Sequence, residues 1–328
     1  MQTNQQSGTV RINRQGSSSE LQYSLQKVEN PGKDQVILKQ ESIALNFVDI
    51  LFRNGSFPLQ DFPATIGVEA AGIIEAVGAD VKNFQVGDKA GYYLALGAYA
   101  ERRTINAQSL IALPESVTFD QAASIMAKGL TARMLIKDVY PVKRGDHILV
   151  HAAAGGVGSL VSQWARSLGA IVIGTVGSKA KKEYALAHGS DYVIALDSED
   201  VADVVKSVTA GKGIVAVYDG VGRATFEASV DLVSENGYYV LFGSSSGSPK
   251  IDKARLNSRK ITLVQPVLGN YLPDHDTVQM AANDLFEALQ NGVFGDIQPK
   301  IYNLKDAAAA HKKLESGHTT GSTVFHID

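Results

Sequence analysis

The rhythm of apolar and polar positions changes near Phe119. Before it, apolar residues come in short runs broken by Gly, Pro and Asn. After it, such runs alternate with stretches of helical period. In the first part, residues 1–20 are polar apart from a short strand at 9–13. Residues 36–44 read as a strand, and 50–54 as one helical turn stopped by Gly55. Residues 57–65 form a proline-punctuated loop. The run at 66–77 is apolar but rich in Gly and Ala, which suits a curved strand of a small barrel. A turn at 86–89 leads to another strand, and 97–104 adds one more. This part is predicted to be β-rich.

A helix is predicted over 120–137 with Thr118 as its N-cap. Strands then follow at 148–153, 171–176, 192–196, 214–218, 238–242 and 261–264. Helices fall between them at 156–168, 180–188, 198–208 and 223–232. Strands joined by helical crossovers make a doubly wound parallel sheet, so the fold class is α/β. Beyond Pro266 the pattern predicts helices at 277–291 and 306–315, and a last strand at 319–326 that returns to the first domain.

The stretch HAAAGGVG at 151–158 lies between the first of these strands and the first helix. It has the spacing of G-x-G-x-x-G with Ala153 in the first glycine place. Strand, tight turn and helix together present N–H groups to a pyrophosphate. Gly155, Gly156 and Val157 are the candidate contacts; a glycine-rich turn of any α/β protein reads the same way. At the end of the second sheet strand an NAD site carries an Asp or Glu. This chain has Gly177, Ser178, Lys179 and Lys181 there and no carboxylate. Cations are unfavourable at a helix N-terminus unless an anion is near, which points to a 2′-phosphate and to NADPH. The alternative is that these lysines form a solvated first turn.

A length of 328 residues suggests two domains, and 45% hydrophobic content is ample for their cores. A net charge of −3 without a basic tract argues against nucleic acid as a partner. No apolar run reaches the ~18 residues of a membrane helix. The N-terminus lacks an apolar signal core, so a cytoplasmic protein is expected. With no cysteine in the chain, disulfides, thiolate catalysis and cysteine-ligated zinc are excluded. The seven histidines are scattered and form no H-E-x-x-H pair, so no metal site is expected.

Several segments appear in order: NFVD at 46–49, GVEAAGIIEAVG at 67–78, VGDK at 86–89, LGAYAE at 96–101, KGLTA at 128–132, the 151–170 segment, YDGVG at 218–222 and FGSSSG at 242–247. With them the chain resembles the zinc-free, zeta-crystallin-like quinone oxidoreductases of the medium-chain dehydrogenase/reductase superfamily. The resemblance covers nearly the whole chain. It implies a GroES-like β-barrel catalytic domain (1–124 and 267–328), a Rossmann domain (125–266), NADPH in the cleft between them, and a homodimer. Zinc-dependent relatives carry His where this chain has Val68.

Without zinc, the acceptor must need little Lewis-acid help; a quinone or a conjugated enone does. Asn46, Asp49 and Lys128 are the candidate catalytic residues. Asn46 and Lys128 also count as cofactor contacts, with Thr131 of the KGLTA segment. Each has a plainer reading: Asn46 fixing a turn, Asp49 as a helix cap, Lys128 in solvent. Gly220 follows the fourth strand, Phe242, Gly243, Ser244 and Ser245 the fifth, and Pro266, Val267 and Leu268 the sixth; resemblance and strand position assign them to the cofactor. Leu51, Val68 and Leu196 depart from Tyr, Thr or Ser, and Tyr in close relatives, which makes the acceptor region more apolar. Reduction of the C=C bond of enones or 2-alkenals is the alternative chemistry. A non-catalytic, crystallin-like or RNA-binding role is the alternative class.

Overall fold

The computed structural model describes residues 6–327, and the chain divides into two compact units. The first takes the chain up to Ala127 with Asp274–Phe286 and Ile297 onward; the second is Lys128–Pro273 with Glu287–Asp296.

The first unit opens with β1 (Gln6–Ile12), β2 (Gln22–Lys27), β3 (Gln35–Leu45), helix α1 (Phe47–Asn54), β4 (Ala64–Thr65), β5 (Ala70–Val77), β6 (Lys89–Tyr92), β7 (Arg102–Asn106) and β8 (Ile111–Ala112). β1 lies between β2 and β4. β3 is the spine of the larger sheet. It pairs antiparallel with β5, and the register slips twice along that pairing. Such irregularities bend a strand. Val36, Leu38, Ile43, Ile66 and Ile74 fill the core beneath it at 0% exposure.

Two predicted strands lose their ends to one another. β5 begins at Ala70 rather than 66, and β7 at Arg102 rather than 97. The intervening residues face each other as loops: Tyr99 N–H donates to Ile66 O, Gly97 N–H to Gly67 O and Ala95 N–H to Val68 O. Gly67 and Gly97 both have positive φ, which breaks the extended conformation at each end.

Helix α2 (Phe119–Arg133) starts where predicted and runs on into a π-helical turn, Met134–Val139. Thr118 caps it by a reciprocal pair: Gln121 N–H donates to Thr118 Oγ1 at 3.1 Å, and Thr118 N–H to Gln121 Oε1 at 3.0 Å.

The second unit contains β9 (His147–Val150), α3 (Gly156–Ser167), β10 (Ile171–Val176), α4 (Lys182–Ala187), β11 (Tyr192–Ala195), α5 (Val201–Val208), β12 (Ile214–Asp219), α6 (Phe226–Val230), β13 (Val233–Leu241), α7 (Lys253–Ser258), β14 (Thr262–Val264) and α8 (Leu268–Tyr271). Six strands run parallel in the order β11-β10-β9-β12-β13-β14. The order reverses at β9, and sheets of this kind bind ligands at that switch point, outside the strands' carboxyl ends. Leu149, Ile173, Ile194 and Val217 are fully buried, as a sheet covered on both faces requires. The helix expected at 223–232 shrinks to α6. A hydrogen-bonded turn holds residues 219–225, and β13 starts as early as Val233.

The chain then forms α9 (His275–Gln290), β15 (Lys300–Asn303), α10 (Ala307–Glu315) and β16 (Thr323–His326). β16 pairs antiparallel with the second half of β3, opposite β5, while β7 pairs with the first half. Among the described residues no helix is long and apolar enough to cross a membrane.

A buried chain of hydrogen bonds fastens α1 to α10. Arg53, at 1% exposure, donates from Nη1 to Glu315 Oε2 at 3.0 Å and contacts His311 Nδ1 at 3.3 Å. A guanidinium only donates, so Nδ1 accepts and the ring proton sits on Nε2. That proton faces the Tyr99 hydroxyl at 2.8 Å, and Tyr99 donates to Asp49 Oδ2 at 3.1 Å. Burial, and then the charge of Arg53, push the His311 pKa down to about 3. His311 is therefore neutral in the fold, whereas an unfolded His binds a proton below about pH 6.5. Its contribution to stability is present above that value and is lost as pH falls from 6.5 towards 3. The expected slope is up to about 1.4 kcal/mol per pH unit. Urea unfolding between pH 6.5 and 5.5 should show a shallower pH dependence for His311→Gln than for the parent. Equal slopes would contradict a neutral buried imidazole.

Candidate functional site

In the second unit, α3 begins against the end of β9. A Cβ placed on Gly158 would lie 2.4 Å from Ala152 O and 3.1 Å from Ala153 Cα, so only glycine lets the helix approach this closely. Gly155 is the N-cap. It has no side chain to fill the first-turn N–H groups, and no acidic residue stands in that turn. Gly155 N–H is given to Ala152 O at 2.8 Å, and the donors without intrahelical acceptors that follow it, the positive end of the helix dipole and the absence of a competing carboxylate suit an anion at Gly155, Gly156 and Val157. All three are half-buried. A Cβ on Gly156 would strike the stem of Lys128 at 2.7 Å, so the Lys128 side chain lies over the cradle. Lys128 is 8% exposed, and Thr131 follows it one turn along α2, half-buried. The chemistry here suits an anion: the space is kept by glycine, and the donors are backbone groups.

Beyond β10, the backbone emerges from the core at Gly177. A Cβ there would meet nothing within 4 Å. Ser178 is half-buried, Lys179 exposed and Lys181 half-buried. Burial lowers the Lys181 pKa, an effect that an anion beside the ammonium would offset. Lys182, next in line, pairs instead with Glu199 at 2.7 Å. Asp197, past β11, accepts weakly from Lys179 N–H at 3.4 Å.

The ends of β12 and β13 form one interlocked structure. Phe242 N–H donates to Asp219 O at 2.9 Å, Ser245 N–H to Gly220 O at 3.2 Å, and Gly247 N–H to Ser244 O at 2.8 Å. A Cβ on Gly220 would meet the Phe242 ring at 2.8 Å, and one on Gly243 would meet Gly220 O at 2.8 Å. The structure thus brings Gly220, Phe242, Gly243 and Ser245 into contact, with Ser244 in the same loop. After β14, Pro266 is half-buried, Val267 is 61% exposed and Leu268 opens α8 at 9% exposure.

In the first unit, Asn46 and Asp49 are held by the start of α1. The Asp49 carboxylate closes the helix by accepting Asn46 N–H at 2.8 Å and accepts Tyr99 O–H on the same oxygen. It is 0% exposed, deeper than a helix cap alone requires. Asn46 gives one amide hydrogen to Glu69 Oε2 at 2.7 Å and its side chain takes part in a capping box with Asp49 N–H, which leaves its second amide N–H for a ligand. The other Glu69 oxygen accepts Ala127 N–H at 2.7 Å. Glu69 is therefore what orients Asn46, a link between residues 23 positions apart that no sequence spacing signals. Tyr92 and Tyr99 are wholly buried. Burial raises the Tyr93 pKa to about 12. Two polar residues of the YDGVG and glycine-rich segments, Asp219 and His151, are buried at 0% and 1% exposure. His151 was legible only as part of a glycine-rich motif. Among the described residues no group of three or more His, Asp or Glu side chains is placed to hold a metal ion.

Comparison with known proteins accords with this geometry. Residues 32–115 match the alcohol dehydrogenase GroES-like domain family, and residues 156–287 match the family described as zinc-binding dehydrogenase. A quinone oxidoreductase of Pseudomonas aeruginosa is 39% identical over 94% of this chain and 96% of its own length. A 2-haloacrylate reductase of a Burkholderia species is 36% identical over 96% of this chain and 97% of its own. The crystal structure of Escherichia coli quinone oxidoreductase complexed with NADPH superposes with a TM-score of 0.94 at 36% identity, covering 97% of this chain and 99% of that one. With a GroES-like segment, a parallel sheet carrying a glycine cradle and relatives that match end to end, the chain belongs to the quinone oxidoreductases of the medium-chain dehydrogenase/reductase superfamily.

Proposed function

We propose that the protein is an enzyme that reduces a quinone by hydride transfer from NADPH. The observation that carries this reading is the pairing of an uncapped, carboxylate-free helix terminus at Gly155 with a β10 end that offers Ser178, Lys179 and Lys181. The relatives named quinone oxidoreductase, and the one complexed with NADPH, support it.

Each residue's part follows from its chemistry. The first-turn N–H groups at Gly156 and Val157 hold the pyrophosphate, and Gly155, whose N–H is given to Ala152 O, keeps room for it. Gly177 gives room, and Ser178, Lys179 and Lys181 neutralise the 2′-phosphate. Lys128 and Thr131 reach the ribose beside the cradle. Gly220 lies towards the adenosine side, Phe242, Gly243, Ser244 and Ser245 flank the nicotinamide half, and backbone groups at Pro266, Val267 and Leu268 meet its carboxamide. NADPH, once bound, supplies the hydride. Asn46, its amide fixed by Glu69, hydrogen-bonds the acceptor oxygen. Asp49 holds the helix that carries Asn46. With no cysteine to ligate zinc, the acceptor's own electron-poor carbonyl replaces the Lewis acid. In this reading residues 1–124 and 267–328 are the GroES-like catalytic domain and residues 125–266 the NADPH-binding domain. A cytoplasmic homodimer completes the proposal; it rests on the resemblance. A second reading, reduction of an activated C=C bond, is favoured by the similarity to a 2-haloacrylate reductase and by buried Val68.

The direct test is NADPH oxidation against a panel of quinones, 2-alkenals, 2-haloacrylates and simple alcohols. Quinones should turn over fastest. Turnover confined to C=C acceptors would select the second reading, and turnover of none would remove both.

Cofactor choice should follow the lysines. Lys181→Ala is expected to weaken NADPH binding by roughly 1–3 kcal/mol, the range for a lost charged hydrogen bond, and to leave NADH almost unchanged. Equal losses for both, measured by titration, would show that Lys181 does not read the phosphate.

On the acceptor side, Asn46→Ala should lower kcat/KM for the acceptor by about 2- to 15-fold, one neutral hydrogen bond, with the NADPH Kd little changed. Asp49→Asn keeps an oxygen for Asn46 N–H and Tyr99 O–H, so it should retain most activity if the reduced acceptor takes its protons from water. A loss beyond about a thousandfold, with folding intact, would make Asp49 a proton relay instead.

A further inference from the structure

The polar groups buried beneath the cofactor segments form two hydrogen-bonded sets. His151, at the end of β9, meets Thr175 Oγ1 from Nδ1 at 2.8 Å and Ser229 Oγ from Nε2 at 2.7 Å. Tyr239 donates to Asp219 Oδ2 at 2.7 Å. Asp219 further accepts Thr225 O–H at 2.8 Å, Val221 N–H at 2.7 Å and Gly222 N–H at 3.0 Å. His151, Thr175, Ser229 and Asp219 are each at most 1% exposed.

The neutral His151 ring donates from one nitrogen and accepts at the other, and the Thr175 and Ser229 hydroxyls can meet either tautomer. Burial lowers the His151 pKa, which keeps the ring in the neutral form this arrangement needs.

The position of these sets gives them a use. Thr175 lies on β10 two residues before Gly177, and His151 four before Gly155. Asp219 ends β12 directly before Gly220, and Tyr239 lies on β13 three before Phe242. The ends of β9 and β10 are thus tied through His151, and those of β12 and β13 through Tyr239 and Asp219, by side chains as well as by the sheet. We propose that His151 is a positioning residue for NADPH, holding the 2′-phosphate segment after β10 in register with the pyrophosphate cradle. The proposal rests on the NADPH reading above. Loss of the imidazole frees Thr175 first, so the segment at 177–181 shifts more than the cradle does.

The test is equilibrium binding, by fluorescence titration with NADPH and with NADH, on the full-length protein and its variants, with thermal unfolding alongside. His151→Leu should raise the NADPH Kd at least about tenfold and the NADH Kd less than about threefold. His151→Gln, which keeps one donor and one acceptor, should recover most of the loss. Thr175→Val and Ser229→Ala each remove one hydroxyl and should reproduce the selective loss singly. The double variant should be no worse than the more affected single, because either change leaves the same His151 ring half-held. These two carry the test if His151→Leu fails to fold. An unchanged NADPH Kd in the variants would overturn the proposal. So would equal weakening of both dinucleotides in step with a fall in Tm, which marks a packing role only. If the parent protein binds neither dinucleotide, the proposed function itself fails, and that outcome is visible before any variant is compared.

Discussion

The closeness of α3 to the end of β9 is the constraint on which the cofactor side of the molecule depends. With glycine at 158, the helix start sits within van der Waals reach of Ala152 and Ala153. That approach aims the N-terminal N–H groups outward at the reversal point of the sheet. A larger residue would push the helix away and turn those groups from the place where the proposed function puts a pyrophosphate. The parallel sheet does the rest: its crossovers bring the carboxyl ends of β9, β10, β12, β13 and β14 to one edge. Short loops at that edge then present backbone groups without needing special side chains.

Both units handle buried polarity by the same rule. A buried carboxylate or imidazole is tolerated because each of its directions is met by a donor or acceptor. In the first unit this applies to Glu69 between Asn46 and Ala127. In the second it applies to Asp219 and His151. Such groups are costly to leave half-satisfied, so they fix their neighbours' geometry. Asn46 is oriented in this way: its amide cannot rotate without leaving Glu69 short of a donor.

Much of the fold was legible along the chain. Period-2 and period-3.6 patterning placed the parallel strands and most crossovers, and Gly55 and Thr118 marked a helix end and a helix start as the structure shows them. The pattern misread places where two distant segments meet. Residues 66–69 and 95–99 look extended in isolation, yet their N–H and C=O groups satisfy one another as facing loops, which shortens both strands. The turn at 219–225 looks helical from 223 onward, but the Asp219 carboxylate captures its N–H groups and delays α6 to Phe226.

The sequence by itself determined the α/β class, the glycine cradle, the missing acidic residue after the second parallel strand and the absence of cysteine. These are local facts: each depends on residue type within a few positions, and backbone stereochemistry or ligand chemistry then leaves few outcomes. The tertiary structure alone decided that Lys128 lies over Gly156, that Glu69 orients Asn46, that His311 is neutral between Arg53 and Tyr99, and that His151 joins Thr175 to Ser229 while Tyr239 meets Asp219. Those depend on side chains far apart in sequence reaching hydrogen-bonding distance inside a core from which water is excluded. There an unmet polar group costs most, and only the packed fold shows which partners meet it.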